Sequence, residues 1–192
     1  MRHATWTVCF AVLLASFSHS AAAQSDSAWD IVLNGRAVHL NAARDWNEDN
    51  WGLGLEREFA STGPWIKVAL VNAFSDSMDN PSYMAGGGLK RRFRVGSGDF
   101  YVDVGGVAFL MTRQNVNRNE PFPGLLPAAT FGFKRVALNL TYMPESVADR
   151  VTSSKRHDPT MNGVFFLQLK LDASLLGLGR RNGQWLAQRS AD

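Results

Sequence analysis

Apolar and polar residues alternate along most of this chain, and they do so in segments of about ten. Eight stretches carry the pattern: 29–40, 51–59, 65–74, 83–93, 99–111, 125–133, 135–143 and 163–171. A period of two over such lengths predicts β-strands with one apolar face. The connections have an order of their own. Those at 60–64, 94–98 and around Lys134 are short, while those at 41–50, 75–82, 112–124 and 144–162 are longer and polar. Short and long alternate without exception. An up-and-down barrel in an outer membrane produces this, with tight turns on the inner side and long loops outside. The predicted fold is therefore all-β, an eight-stranded antiparallel up-and-down transmembrane β-barrel. A soluble lipocalin-like barrel alternates in the same way and is the competing architecture; the even strand number and the loop asymmetry favour the membrane form.

The two faces of each strand refine this. In 51–59, Trp51, Leu53, Leu55 and Phe59 share one face, against Gly52, Gly54, Glu56 and Glu58. In 83–93, Tyr83, Ala85, Leu89 and Phe93 oppose Met84, Gly86, Gly88, Lys90 and Arg92. Segments 99–111 and 163–171 divide alike, with Asp103 and Lys170 on the mixed face. Arg57 and Arg91 fall on the apolar face near strand ends, where long basic side chains can snorkel. With the long loops at the top, Glu56, Glu58, Lys90, Arg92, Asp103 and Lys170 lie in the lower half of the mixed face, and Gly52, Gly54, Met84, Val107, Phe109 and Met111 in the upper half. The expectation is an interior with a charge-paired floor, because buried charges must be paired, beneath an apolar, glycine-lined chamber. An eight-stranded barrel is wide enough to hold one small ligand. One local ambiguity is Asn34-Gly35, a strong hairpin signal; a bulge within a single first strand fits the strand length better.

Composition narrows the class. Residues 1–23 open with Arg2 and His3, continue through the apolar run TVCFAVLLASF and end on small residues, the pattern of a secretory signal peptide with cleavage expected after Ala23. Removing that leader takes the net charge from +3 to +2 and removes Cys9, the sole cysteine. The remainder offers no thiolate chemistry and no disulfide, no basic block of the kind that binds nucleic acid, and no apolar run long enough for a spanning helix. Residues 24–172 are expected to form the barrel domain and 173–192 an amphipathic tail on the inner side.

Candidate chemistry collects at the upper rim. His3 and His19 belong to the leader, and His157 lies in a polar loop. His39 ends the first strand, and Asp76 and Ser77 end the third, so the topology brings an imidazole, a carboxylate and a hydroxyl to one rim from distant segments. An imidazole beside a hydroxyl can deprotonate an alcohol, and a carboxylate can orient the imidazole. Loops are also built from Ser, Asp and Asn for conformational reasons alone. Nothing in the sequence calls for a metal or an organic cofactor.

Three stretches resemble one family. AFSDSMDNPSYMAGGG, GLLPAATFGFKRVALNLTYMPE and NWGLGLEREF are similar to segments of the outer-membrane lipid A palmitoyltransferases, over about residues 36–145. The resemblance implies an enzyme of the bacterial outer membrane that moves a palmitoyl chain from a phospholipid donor to a lipid A acceptor, working as a monomer. It implies functional residues at His39, Asp76 and Ser77, with Ser77 either stabilising the reacting ester or serving as a transient nucleophile, and an acyl-pocket floor at Gly88 below Met84. It also implies a lateral opening flanked by Pro127 and Pro144, where proline's missing N–H suits a break in the ladder. Arg113 and Arg118 are candidates to meet acceptor phosphates. The chain departs from the family in three places: only QSDSAWDI stands where an amphipathic helix precedes the first strand, the His39 surroundings differ, and a tail follows the last strand. Two other readings remain at this point, a catalytically inert outer-membrane barrel with a structural or adhesive role and a periplasmic lipid-binding barrel.

Overall fold

The structure, a computed structural model, describes residues 28–61, 63–95, 99–114, 116–151, 158 and 160–178. The leader, His157 and the chain beyond Leu178 lie outside the described residues. Eight strands close into one antiparallel barrel in sequence order, β1 (Ala28–Leu40), β2 (Asp49–Phe59), β3 (Trp65–Ser75), β4 (Pro81–Val95), β5 (Phe100–Thr112), β6 (Phe122–Phe133), β7 (Val136–Pro144) and β8 (Gly163–Asp172). Each predicted strand is present within three residues at either end. The alternating faces hold as well. Trp51, Leu53, Tyr83, Leu89 and Val104 are exposed on the outside, while Glu56, Lys90, Asp103 and Lys170 are buried inside. Large apolar side chains around the outer wall suit lipid rather than water. At the lower edge the Arg57 guanidinium lies 5.4 Å from the centre of the Trp29 ring and 5.0 Å from that of Phe59, and Arg91 lies 5.3 Å from Phe93. The two lipid-face arginines thus rest on aromatic faces at the level where amphipathic side chains gather.

The expected charge-paired floor is built from partners on five strands, β1, β2, β4, β5 and β8. Lys170 reaches Glu56 at 2.6 Å and Asp30 at 2.9 Å, and Lys90 lies 3.7 Å from Glu56. Below them Arg92 grips Glu58 and Asp103 at 2.9 and 2.8 Å. A neutral tier sits on top: Gln168 donates to Asn34, Asn34 to Asn72, Lys90 to Thr130 and Thr130 to Asn139. With partners at this density the charged groups of the floor are paired, which is the condition for tolerating them.

Two features go beyond the expected plan. The 144–162 connection contains a helix, α1 (Glu145–Val151), whose Ala148 is fully buried with Ala37, Met161 and Val164. A 3-10 turn at Ala173–Leu176 follows β8, started by the Asp172 carboxylate accepting from the Ser174 N–H at 2.8 Å. Leu175, Leu176 and Leu178 are exposed there.

Candidate active site

Above the neutral tier the barrel is hollow, with a cavity of about 140 Å³. Leu70, Met84, Val107, Phe109, Leu126 and Met143 form its apolar walls, and His39, Asp76, Ser77 and Arg113 stand at its upper end. Phe109 packs against β6 at Gly124, where an added Cβ would collide with its ring.

His39 enters this chamber because β1 carries a bulge. Below it Val32 and Asn34 face inward; above it the inward residues are Ala37 and His39. The ladder to β8 pairs Asn34 with Gln168 and then Arg36 with Leu167, so Gly35 is the extra residue. Strand faces have a strict period of two, and one extra residue exchanges them. In an unbroken β1 register, His39 would face lipid. Asn34-Gly35, read as a bulge rather than a turn, is therefore what turns the imidazole inward.

The imidazole itself is 4% exposed and stacks on Trp46 at 5.4 Å with a 12° tilt. Trp46 is held by the Asp158 carboxylate, which accepts from its indole N–H at 3.4 Å and from the Arg44 N–H at 3.1 Å. The Thr160 hydroxyl also donates to Asp158, and these bonds hold its carboxyl down to about 2. The 41–48 loop and the end of the 144–162 connection are thereby locked together over His39. Glu48 lies along the same edge. Its Oε1 accepts from the His39 N–H at 3.2 Å and its Oε2 from Arg36 at 2.9 Å. The hydrogen bond from Arg36 holds the Glu48 carboxyl below its ordinary range.

Asp76 and Ser77 line the same cavity as His39, but Asp76 is not hydrogen-bonded to it. The Asp76 carboxylate accepts from the backbone N–H groups of Met78 and Asn80 at 2.8 and 3.1 Å, from the Ser82 hydroxyl at 3.2 Å and from Arg113 Nε at 3.1 Å. It organises the 76–80 turn, in which Asp79 takes a left-handed φ of 61°. Sequence reasoning placed Asp76 behind the imidazole and Arg113 in a solvated or phosphate-facing loop. Arg113 is instead 7% exposed and spans from the end of β5 to Asp76. Arg118, the other loop arginine, is exposed. The carboxylate nearest the imidazole is Glu48, with Oε1 at 3.8 Å from Nδ1. Glu48 and Trp46 gave no signal in the sequence because no periodicity governs a loop. Ser77 bonds through its carbonyl to the Asn47 N–H at 3.2 Å.

Gly88 lies on the inward face, opposite Val68 and Val107. A Cβ there would stand 2.9 Å from Val68 Cγ2, from Val107 Cγ1 and from the Gly106 carbonyl. The cavity surface at this level is contributed by its neighbours Val107 and Lys90 rather than by Gly88 itself. Pro127 pairs with Gly106 of β5, but the β6–β7 ladder runs only from Phe133↔Val136 up to Ala128↔Thr141. Above it Tyr142–Pro144 pair with β8 alone. Pro127 and Pro144 thus flank a stretch where β6 and β7 are not hydrogen-bonded. Leu125, Leu126, Thr141 and Met143 bring the cavity to that seam.

The fold and the site together define a closed membrane-type barrel with an apolar chamber, an unladdered seam and a polar rim. The comparisons give the family. Residues 26–151 match the family described as antimicrobial peptide resistance and lipid A acylation protein PagP, and the chain belongs to it. A relative named lipid A acyltransferase PagP from Methylobacillus flagellatus is 36% identical over 113 residues, which cover 55% of this chain and 60% of that one. The protein of that name from Bordetella pertussis is 30% identical over 141 residues, 67% of this chain and 76% of its own. The solved structure of Yersinia pestis outer membrane protein Ail in a phospholipid bilayer nanodisc aligns with TM-score 0.40 at 10% identity, over 77% of this chain and 99% of that one.

Proposed function

We propose that this protein is an acyltransferase of the bacterial outer membrane that moves one long acyl chain from a phospholipid to lipid A. The observation that supports this most is the apolar cavity joining the β6–β7 seam to the rim that carries His39 and Ser77. A diacyl lipid in the outer leaflet can insert one tail through the seam between Pro127 and Pro144 and rest its ester at the rim. His39 then takes the proton of the acceptor hydroxyl, and the oxygen attacks the ester carbonyl. The bond to the glycerol oxygen breaks, and the leaving oxygen receives the proton from His39. The products are acylated lipid A and a lysophospholipid. Ser77 hydrogen-bonds the reacting ester, and Arg113 with Asp76 keeps the 76–80 turn that carries Ser77 in place. The enzyme acts as a monomer, after removal of a leader ending at Ala23.

The direct test is the mass of lipid A from cells expressing the protein. A gain of one long acyl chain is expected, and unchanged lipid A with a correctly inserted barrel would refute the reading. Chain length tests the pocket floor separately. Gly88→Met cannot keep its side chain in the plane of Val68 and Val107, where even a Cβ is at 2.9 Å, so it must rise into the chamber. The transferred chain is expected to shorten, read by the same mass measurement. An unaltered product would place the floor elsewhere, at the Lys90 tier.

A further inference from the structure

We propose that Glu48, and not Asp76, is the carboxylate that positions His39, holding the neutral imidazole with its proton on Nδ1 and leaving Nε2 as the base. The proposal rests on the acyl-transfer reading above. Three observations carry it. First, His39 Nδ1 is buried and has no hydrogen-bond partner among the described residues, while Glu48 Oε1 lies 3.8 Å away. A buried polar atom without a partner is costly, and the carboxylate within reach of it is that of Glu48. Second, Glu48 is held from its other side. Its backbone carbonyl accepts from the Ala37 N–H at 2.9 Å, its Oε1 from the His39 N–H and its Oε2 from Arg36. The carboxylate is thus attached to the same strand as the imidazole it faces. Third, Asp76 is already engaged by four donors, one of them a guanidinium. It has no free geometry with which to orient a second group.

The distance of 3.8 Å is a poised contact rather than a formed hydrogen bond. Catalytic hydrogen bonds are often long before substrate binds and tighten in the complex. The Trp46 ring stacked on the imidazole covers one face of it, and a slide within the ring plane keeps that stack. A proton fixed on Nδ1 is what general-base action at Nε2 requires, since a neutral imidazole has one lone pair to offer. The charged groups around the ring are Glu48 and Asp158 on the negative side, and Arg113 and Arg36 on the positive side, with Asp76 paired to Arg113.

The test uses the full mature chain in detergent micelles, with nitrogen-15 imidazole spectra in which a His157→Gln variant assigns the two histidines left after removal of the leader. The neutral His39 is expected to be the Nδ1–H tautomer, the reverse of an unconstrained imidazole. Glu48→Ala should return it to Nε2–H and lower kcat by about 10- to 100-fold with KM for either lipid unchanged. Glu48→Gln keeps an acceptor and should keep the tautomer. Asp76→Asn should leave the tautomer as it is. An Nε2–H imidazole in the unaltered protein, a tautomer indifferent to Glu48→Ala, or one that follows Asp76 instead would overturn the proposal. Absence of acyl transfer by the unaltered protein would remove the functional reading while leaving the tautomer result to stand or fall by itself.

Discussion

Replacing His39 by alanine is expected to lower acyl transfer by about 10²- to 10⁴-fold, the usual range for losing a general base, with the barrel still closed. The two halves of that expectation have separate grounds. The side chain reaches the chamber between strands whose ladder does not need it: His39 keeps its backbone pairing with Val164 and its N–H to Glu48 whatever the side chain is. Among the described residues the Nδ1 atom has no hydrogen-bond partner, and the ring stacks on Trp46. Truncation therefore empties a space at the rim without freeing a buried charge. Folding is read by the migration of unheated protein in detergent gels, and activity by acyl transfer from a phospholipid to lipid A in micelles. A folded variant retaining transfer within severalfold of the unaltered enzyme would mean that some other group takes the proton. The same exchange at Asp76 is expected to be less selective, because its carboxylate holds Arg113, Ser82 and two backbone N–H groups in one turn.

What the sequence disclosed and what it hid divide along a physical line. Strand periodicity assigns each residue to a face, so the outer wall, the lower charges and the chamber above them were all legible from residues such as Leu53, Lys90 and Val107. Loop asymmetry gave up and down. Even the Asn34-Gly35 bulge could be recognised, though its consequence could not: that the faces exchange above it, and that His39 points in for this reason. The hidden part is in the loops and between them. Which donor takes the Asp76 carboxylate is decided by Arg113, 37 residues away and across the rim. Asp158 binds Arg44 and Trp46 from more than a hundred residues along the chain. Such pairings are competitions among several polar groups in one small space, and no local pattern records the winner. The helix α1 escaped for a related reason. Its seven residues are too few to show a period, and the burial of Ala148 against Ala37, Met161 and Val164 holds it where it is.

Glu56→Leu is expected to cost about 3–5 kcal/mol of stability, the loss found when one partner of a buried ion pair is removed and the other stays. Glu56 faces two ammonium groups, Lys170 at 2.6 Å and Lys90 at 3.7 Å. Lys170 would still have Asp30 at 2.9 Å, but Lys90, 2% exposed, would retain the Thr130 hydroxyl as its direct partner among the described residues, with Asp103 and Glu58 farther off. The charge left without a contacting counter-ion is thus Lys90, and the asymmetry can be checked. Lys90→Met alone should cost far less, since Glu56 keeps Lys170 and a flexible apolar side chain fills the vacated length. Adding Lys90→Met to Glu56→Leu should recover most of the loss, as exchanging a whole buried pair for apolar residues is often close to neutral. Urea unfolding in detergent micelles, followed by tryptophan fluorescence, gives all three values. A Glu56→Leu cost below about 1 kcal/mol would show that water reaches Lys90 from the chamber. That result would bear on function too, because a wet tier could not serve as the dry lower limit of an acyl pocket. If the cost is large and the double replacement restores stability, the product made by the repacked protein becomes informative. With the polar tier turned apolar beneath Gly88, a longer acyl chain should be accepted than the original floor allows.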